Sequence, residues 1–324
     1  MSTIILICGF AFLEIMVGFP INIVIGEASS KEDFGKISIY NTIIGVLRYT
    51  AMFVVISLSS NPLILIAVIA ARRFVELIIA VYMFRSLDFR KIKINAPVKE
   101  SIEILKYSSF LSVAHLLQTV GVSMGTVFVN MFFGATALGI YRSTFDVVTR
   151  VWFFSNGLAI VLFPRLVKMK NELTEFVYYK RINIMTFTSW IGFLWLSAIL
   201  SLFSENIISL MHIPGNDTHI LFILLCVGIC LNGHANLSYE ILQARGEYLS
   251  TVFLSLTSLL LMLITFFTFK NSAGLISIGL AWVISQVAYS MAGDILAVKP
   301  SIISILTRML ILSILLIFAF SLIS

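Results

Sequence analysis

The stretch Tyr248–Thr268, YLSTVFLSLTSLLLMLITFFT, decides the fold because it is long, apolar and carries no charged side chain. A helix needs roughly 20 apolar residues to cross the hydrocarbon core of a bilayer. Lipid offers no hydrogen bonds, so a spanning chain must pair its own backbone groups as a helix or a closed barrel. The apolar residues of Tyr248–Thr268 run together rather than alternate. The stretch therefore predicts a transmembrane helix.

Similar stretches recur along the whole chain, which has 324 residues, of which 59% are hydrophobic and 12% charged. A soluble domain carries about 25% charged residues. We therefore predict an all-α, polytopic transmembrane helical bundle of about ten spans. The short loops leave no room for a soluble catalytic module. The predicted spans are Thr3–Ile25, Ser38–Leu58, Pro62–Phe84, Tyr107–Phe133, Tyr141–Phe163, Asn183–Phe203, Ile220–Tyr239, Tyr248–Thr268, Leu275–Ile295 and Ile302–Leu322.

The net charge of +6 does not indicate nucleic-acid binding. The loop cations fall almost entirely on one side of the membrane and therefore set the orientation of the chain. Cytoplasmic loops are enriched in Lys and Arg, which places that side in the cytoplasm and the N-terminus outside. Lys270 is the loop cation of the opposite side. The basic stretch Arg85–Lys106 separates three spans from seven, and we predict domains at 1–105 and 106–324. The cytoplasmic cations are Lys31, Lys36, Arg85, Arg90, Lys91, Lys93, Lys99, Lys106, Arg165, Lys168, Lys170, Lys180, Arg181, Arg245 and Lys299.

The fourth predicted span carries polar residues at intervals of three and four, which places them on one helical face. Lipid penalises such a face, so it must meet other helices or water. Hydrogen-bonded helix packing and a water-filled cavity both satisfy this requirement. The polar stripe consists of Ser112, His115, Thr119, Ser123, Thr126 and Asn130.

The fifth predicted span adds charge through Arg142, Asp146 and Arg150, which share a face at i, i+4 and i+8. Asp146 can neutralise one arginine but not both. A positive charge left at membrane depth favours an anionic ligand. A structural ladder of salt bridges is the alternative interpretation.

The first three predicted spans also contain charges, namely Glu14, Arg48, Arg72, Arg73 and Glu76. Arg72 and Glu76 are suited to an ion pair at i, i+4. Glu14 is expected either to pair with an arginine or, like His115 and Asp146, to carry a coupling ion.

Cys226, Cys230 and His234 share a face that a soft metal could use, but chance in an apolar helix explains this pattern better. We therefore predict no metal, no cofactor and no catalytic residues.

Two segments resemble the polysaccharide-biosynthesis, or O-antigen, flippase family of the multidrug/oligosaccharidyl-lipid/polysaccharide exporter superfamily. The first, FFGATALGIYRSTFDVVTRVWFFSNGLAIVLFPRLVKMKNE, has Gly134, Gly139 and Tyr141 where the family has a turn, and it ends a helix with Phe163-Pro164-Arg165. The second is LQARGEYLSTVFLSLTSLLLMLITFFTFKNSAGLISIGLAW, residues Leu242–Trp282.

The resemblance implies a two-lobed bundle with a central cavity that opens alternately to each side of a bacterial inner membrane. The first span resembles the fourth helix of the family, which implies an N-terminal lobe that lacks three helices. The implied cargo is a polyprenyl-pyrophosphate-linked oligosaccharide, and the implied partners are membrane lipid and other polysaccharide-assembly membrane proteins.

The expected roles of the residues follow from the charge and hydrogen-bonding capacity of this cargo. Ser112, Thr119, Ser123 and Asn130 would solvate sugar hydroxyls. Arginines hold phosphate by charge-assisted hydrogen bonds, which we expect of Arg142 and Arg150 together with Arg48 and Arg72. Asp146, His115, Glu14 and Glu76 are the expected ion-pair or coupling residues.

Other functions fit a membrane bundle. A multidrug exporter of the same superfamily should place acidic residues in its cavity, and a lipid-linked peptidoglycan precursor flippase differs only in cargo. A membrane-embedded polysaccharide polymerase or glycosyltransferase needs a sizeable catalytic loop, and the longest exoplasmic loop, about Ser204–His219, is short. We therefore expect a transporter and not an enzyme.

Overall fold

A computed structural model describes residues 2–31, 33–58, 62–84, 97–214, 217–298, 307–311 and 313. These residues form helices, and no strand occurs among them. The chain divides into two compact units, Met1–Ala96 and Pro97–Ser324. The all-α fold class is thereby confirmed.

Unit 1 contains three helices: α1 (Ser2–Ser30), α2 (Phe34–Leu58) and α3 (Pro62–Met83). α3 packs against both of the others. The buried residues of α1 include Val17, Ile21 and Val24, whose spacing of four and three places them on one face. Tyr40 of α2 and Phe84 complete this apolar core with an edge-to-face ring contact.

Unit 2 contains α4 (Val98–Val148), α5 (Trp152–Glu172), α6 (Glu175–Leu202), the short α7 (Ser204–Leu210), α8 (Thr218–Ala244), α9 (Tyr248–Ala273) and α10 (Ile276–Val298). α8 lies at the centre and packs against every other helix of the unit named here. Large apolar side chains such as Phe153, Phe176 and Trp195 are exposed on the outer helices. A buried central helix and an apolar exterior are the arrangement expected of a bundle in lipid.

Seven helical stretches in the described part of the chain are long and apolar enough to cross a membrane. The multi-pass membrane class is therefore confirmed, whereas the predicted number of ten spans stays a prediction. α3 is not one of the seven because Arg72, Arg73 and Glu76 interrupt its apolar run. The predicted span Ile302–Leu322 lies mostly outside the described residues.

The fourth and fifth predicted spans lie in one continuous helical stretch, Ser101–Glu172. Gly134 interrupts it with φ 84° and ψ 178°, a backbone conformation that glycine adopts without the penalty of a Cβ atom. The predicted end of the fourth span at Phe133 therefore coincides with a real break. A 3₁₀ segment, Thr149–Val151, then joins α4 to α5.

Glycines allow α8 and α10 to approach closely, as small residues do in membrane helix packing. A Cβ atom added at Gly228 of α8 would lie 2.2 Å from Cδ1 of Trp282, and one added at Gly279 would lie 3.0 Å from Cβ of Leu224. These contacts hold α10 against the central helix, which brings the polar side chains of both helices together.

We expect Gly228→Ala to destabilise the protein by about 1–3 kcal/mol, because the added methyl group must displace the Trp282 ring. The measurement is the thermal unfolding midpoint of the purified protein in detergent. Gly192→Ala in α6 is the matched control, since a Cβ atom there meets nothing within 4 Å. Equal midpoints for the two variants would contradict the inferred close packing.

Candidate functional site

A polar cavity of about 340 Å³ lies inside unit 2, among α4, α5, α8, α9 and α10. Its volume is at the lower end of the range of ~300–1,000 Å³ that is usual for small-molecule sites. Its polar lining comes from Gln118, Thr119, Ser123, Asn156, Asn232, Asn236, Ser255, Ser258, Gln286 and Tyr289. The remaining lining residues, Leu117, Gly121, Val122, Trp152, Leu259, Met262 and Trp282, are apolar or aromatic.

Three hydrogen bonds hold the larger polar side chains of the cavity in place. Gln118 Nε2 donates to the Tyr289 hydroxyl at 2.8 Å, which joins α4 to α10. Asn232 Nδ2 of α8 donates to Gln286 Oε1 of α10 at 2.9 Å. Asn236 Nδ2 donates to Ser155 Oγ of α5 at 2.9 Å. Each amide uses only part of its hydrogen-bonding capacity in these contacts, so the wall keeps donors and acceptors for a ligand.

The middle of the predicted polar stripe of α4 lines this cavity. Thr119 and Ser123 line the cavity, whereas Ser112, His115 and Asn130 lie outside it, and all five residues are exposed. The His115 ring contacts Tyr239 with ring centroids 5.7 Å apart. The structure thus shows both a cavity and an uncovered polar face, and it shows them on the same helix.

The charged face formed by the C-terminal part of α4 and the 3₁₀ segment contains one ion pair. Arg142 Nη2 lies 3.1 Å from Asp146 Oδ1, and both side chains are about half exposed. Arg142 also donates from Nη1 to Thr126 Oγ1 at 3.4 Å. Arg150, in the 3₁₀ segment, is exposed, and its side chain has no hydrogen bond or ion pair within the described part of the chain. A continuous ladder of salt bridges is therefore absent among the described residues.

The predicted charges of unit 1 mostly pair with each other. The buried Glu76 carboxylate forms an ion pair with Arg72, whose Nη1 lies 2.8 Å from Oε1, and it accepts a hydrogen bond from Arg73 Nη1 at 2.8 Å. Arg73 Nη2 also lies 3.0 Å from Glu14 Oε1, which joins α3 to α1. Arg48 of α2 is exposed. Arg72 is thus enclosed by protein, while Arg48 is accessible.

Glu76→Gln should cost about 3–5 kcal/mol of stability, because it leaves the buried Arg72 guanidinium without its counter-charge. The readout is the unfolding midpoint in detergent. Glu14→Gln makes the same chemical change at a carboxylate that is 35% exposed, and we expect a clearly smaller effect. A larger loss from Glu14→Gln would contradict this order.

A second polar cluster, which was not predicted from the sequence, lies on the other side of α8. His234 Nε2 is 3.1 Å from Asp294 Oδ1, and Arg308 forms an ion pair with Asp294 Oδ2. Ser238 Oγ donates to Asp294 Oδ1 at 2.5 Å. The sequence contains one signal for this ion pair. Asp294 is a lone carboxylate in a predicted span, and such a group requires a cation, here Arg308, at the same depth.

The cluster joins four segments of unit 2, namely α6, α8, α10 and the segment that contains Arg308. Arg308 Nη2 donates to Asn183 Oδ1 and Thr186 Oγ1 of α6, each at 3.1 Å. His234 Nδ1 lies 3.2 Å from Ser189 Oγ of the same helix. Asp294, His234 and Arg308 are each at most 2% exposed by side chain. These buried contacts indicate that the cluster has a structural role.

Asp294→Asn should lower stability by about 3–5 kcal/mol, since it strands the Arg308 charge in the protein interior. Adding Arg308→Met to the same chain should recover part of that loss, because the unpaired charge is then gone. Chemical or thermal unfolding of both variants measures the difference. A double variant that is less stable than Asp294→Asn would contradict the structural role of this cluster.

The soft-metal pattern considered for α8 is not assembled as a metal site. Cys226 and Cys230 are buried thiols, and His234 contacts Asp294 and Ser189 instead. No group of three or more His, Cys, Asp or Glu side chains suited to a metal occurs within the ranges that the structure describes.

An apolar cleft of about 710 Å³ lies beside the polar cavity, between α5 and α6 and against α8. Leu158, Ile184 and Trp195 are among its lining residues, as is Ser155. Because Ser155 is bonded to Asn236, a single hydrogen-bonded pair connects the walls of the polar cavity and the apolar cleft.

Comparisons of the chain with family models, with curated proteins and with solved structures find no match.

Proposed function

We propose that this protein translocates a polyprenyl-pyrophosphate-linked oligosaccharide across the inner membrane of a bacterium by alternating access, for the biosynthesis of O-antigen or another surface polysaccharide. The resemblance of Phe132–Glu172 and Leu242–Trp282 to the O-antigen flippases supports this proposal. The helical, multi-pass character of the structure agrees with it.

The observation that carries the proposal is the uncovered polar face of α4. Ser112, His115, Thr119, Ser123 and Asn130 are all exposed. At a rise of 1.5 Å per residue, the helix from Ser112 to Asn130 is about 27 Å long, which nearly equals the hydrocarbon thickness of roughly 30 Å. Lipid would penalise this face over its whole length. A hydrated path for a polar group resolves the conflict.

The arginines beside this face suit the pyrophosphate group. Arg150 is exposed and unpaired within the described residues, so its guanidinium is free to form bidentate, charge-assisted hydrogen bonds with phosphate oxygens. Arg142 is held by Asp146 and Thr126 and would add a second cation. With the cell interior negative, outward movement gains about 2.3 kcal/mol per anionic charge per 100 mV.

The lining of the polar cavity favours this cargo over a cation. A multidrug exporter that carries cations should present carboxylates, and none occurs among the described lining residues. Amides and hydroxyls match sugar hydroxyl groups. The apolar cleft offers a neighbouring surface to the prenyl chain. No bond is made or broken in such a transfer.

Arg150→Ala should reduce flipping of a fluorescent polyprenyl-pyrophosphate oligosaccharide in proteoliposomes by at least about tenfold, because a charge-assisted bond contributes more than about 1.4 kcal/mol. Membrane insertion should be unchanged. Arg181→Ala removes an equally accessible arginine of α6 and should leave the rate intact.

Two results would count against the proposal in different ways. Unchanged flipping by Arg150→Ala would remove the assigned role of that guanidinium. A wild-type protein that inserts correctly but moves no lipid-linked oligosaccharide would reject the proposed function itself.

A further inference from the structure

We propose that the polar cavity of unit 2 binds an uncharged sugar ring of the cargo, a neutral hexose or N-acetylhexosamine, and rejects acidic sugars. This inference rests on the proposed function and makes its substrate class narrower. The cavity thereby becomes a selectivity site for the glycan, separate from the arginines proposed to bind pyrophosphate.

The first argument is the charge of the wall. Its polar side chains are amides and hydroxyls, and none of the described lining residues is charged. The carboxylate of a uronic acid would enter this space without a counter-ion in the wall, and losing part of its hydration without one is disfavoured.

The second argument is a pair of hydrogen-bond donors without acceptors. Trp282 is 4% exposed, and its Nε1 atom has no hydrogen-bond partner within the described part of the chain. Trp152 is half-buried, and its Nε1 atom is buried and also lacks a hydrogen-bond partner among the described residues. Both residues line the cavity. A buried N–H normally finds an acceptor, and a sugar hydroxyl or an acetamido carbonyl oxygen would supply one.

The third argument is the mixture of surfaces in the wall. Trp152, Trp282 and Tyr289 give it aromatic area, while Gln118, Asn232 and Gln286 give it fixed polar groups. Pockets of this kind combine apolar area with a few oriented polar groups that decide specificity. A pyranose ring has C–H faces and a hydroxyl rim, so it matches both components. The volume of about 340 Å³ suits one or two rings rather than a whole repeat.

Binding of soluble glycans tests the site without any transport. The purified protein is titrated with a neutral N-acetylglucosamine-containing trisaccharide and with the same trisaccharide carrying glucuronate in place of one hexose. Tryptophan fluorescence reports on the cavity because Trp152 and Trp282 line it. We expect the neutral glycan to bind at least about tenfold more tightly. Equal affinities, or tighter binding of the acidic glycan, would overturn the inference.

A charge placed in the wall should change this preference. Asn156 lines the cavity and is exposed, so Asn156→Lys can be accommodated without burying a new cation. We expect this variant to bind the acidic trisaccharide at least about fivefold better relative to the neutral one, through a charge-assisted hydrogen bond. Asn156→Gln is the control that keeps the amide and should keep the wild-type ratio. An unchanged ratio in Asn156→Lys would show that the glycan binds elsewhere.

Flipping assays separate this inference from the proposed function. Two lipid-linked cargoes with the same pyrophosphate and prenyl groups, one neutral and one acidic, are compared in proteoliposomes. Equal flipping of both would overturn the selectivity and leave the transport function standing. If neither cargo moves while the neutral trisaccharide still binds selectively, the transport function fails and the sugar site stands.

Discussion

Unit 2 depends on one constraint, which is that the polar side chains of its central helix must find partners inside the protein. α8 contacts α4, α5, α6, α9 and α10 and has little access to water or lipid. Asn232 and Asn236 share one face of it, while His234 and Ser238 share the opposite face. Lipid cannot satisfy these groups. The neighbouring helices are therefore arranged so that their own polar residues meet both faces.

The polar groups on the two faces of α8 find hydrogen-bond partners to different extents. Around Asp294, His234, Arg308 and the Ser238 hydroxyl group all contact the buried carboxylate. On the other face the amides bond in pairs but surround open space, and two indole N–H groups lack acceptors among the described residues. The first arrangement suits a structural role, whereas the second provides the polar groups of the proposed sugar site. The two clusters differ in how much of the hydrogen-bonding capacity of their side chains remains unused.

The arginines show a similar contrast. Arg72 lies within protein and shares the Glu76 carboxylate with Arg73, so its charge is already compensated. Arg150 is exposed, and within the described residues it lacks a counter-ion. Arg142 is intermediate, with an ion pair that is half exposed. These three arginines therefore differ in their capacity to bind an anionic ligand, and Arg150 has the largest capacity of the three.

The sequence by itself determined the helical membrane class, because an apolar run of sufficient length is a local property and lipid permits few backbone structures. It also located the break at Gly134 and the polar face of α4, since helical periodicity fixes which residues share a face. Periodicity does not fix which helix a face meets. Only the tertiary structure placed Thr119 and Ser123 in a cavity, brought Gln118 and Asn232 beside them, and paired Asp294 with Arg308. These contacts join residues from distant parts of the chain, and the packing of α10 against α8 decides them.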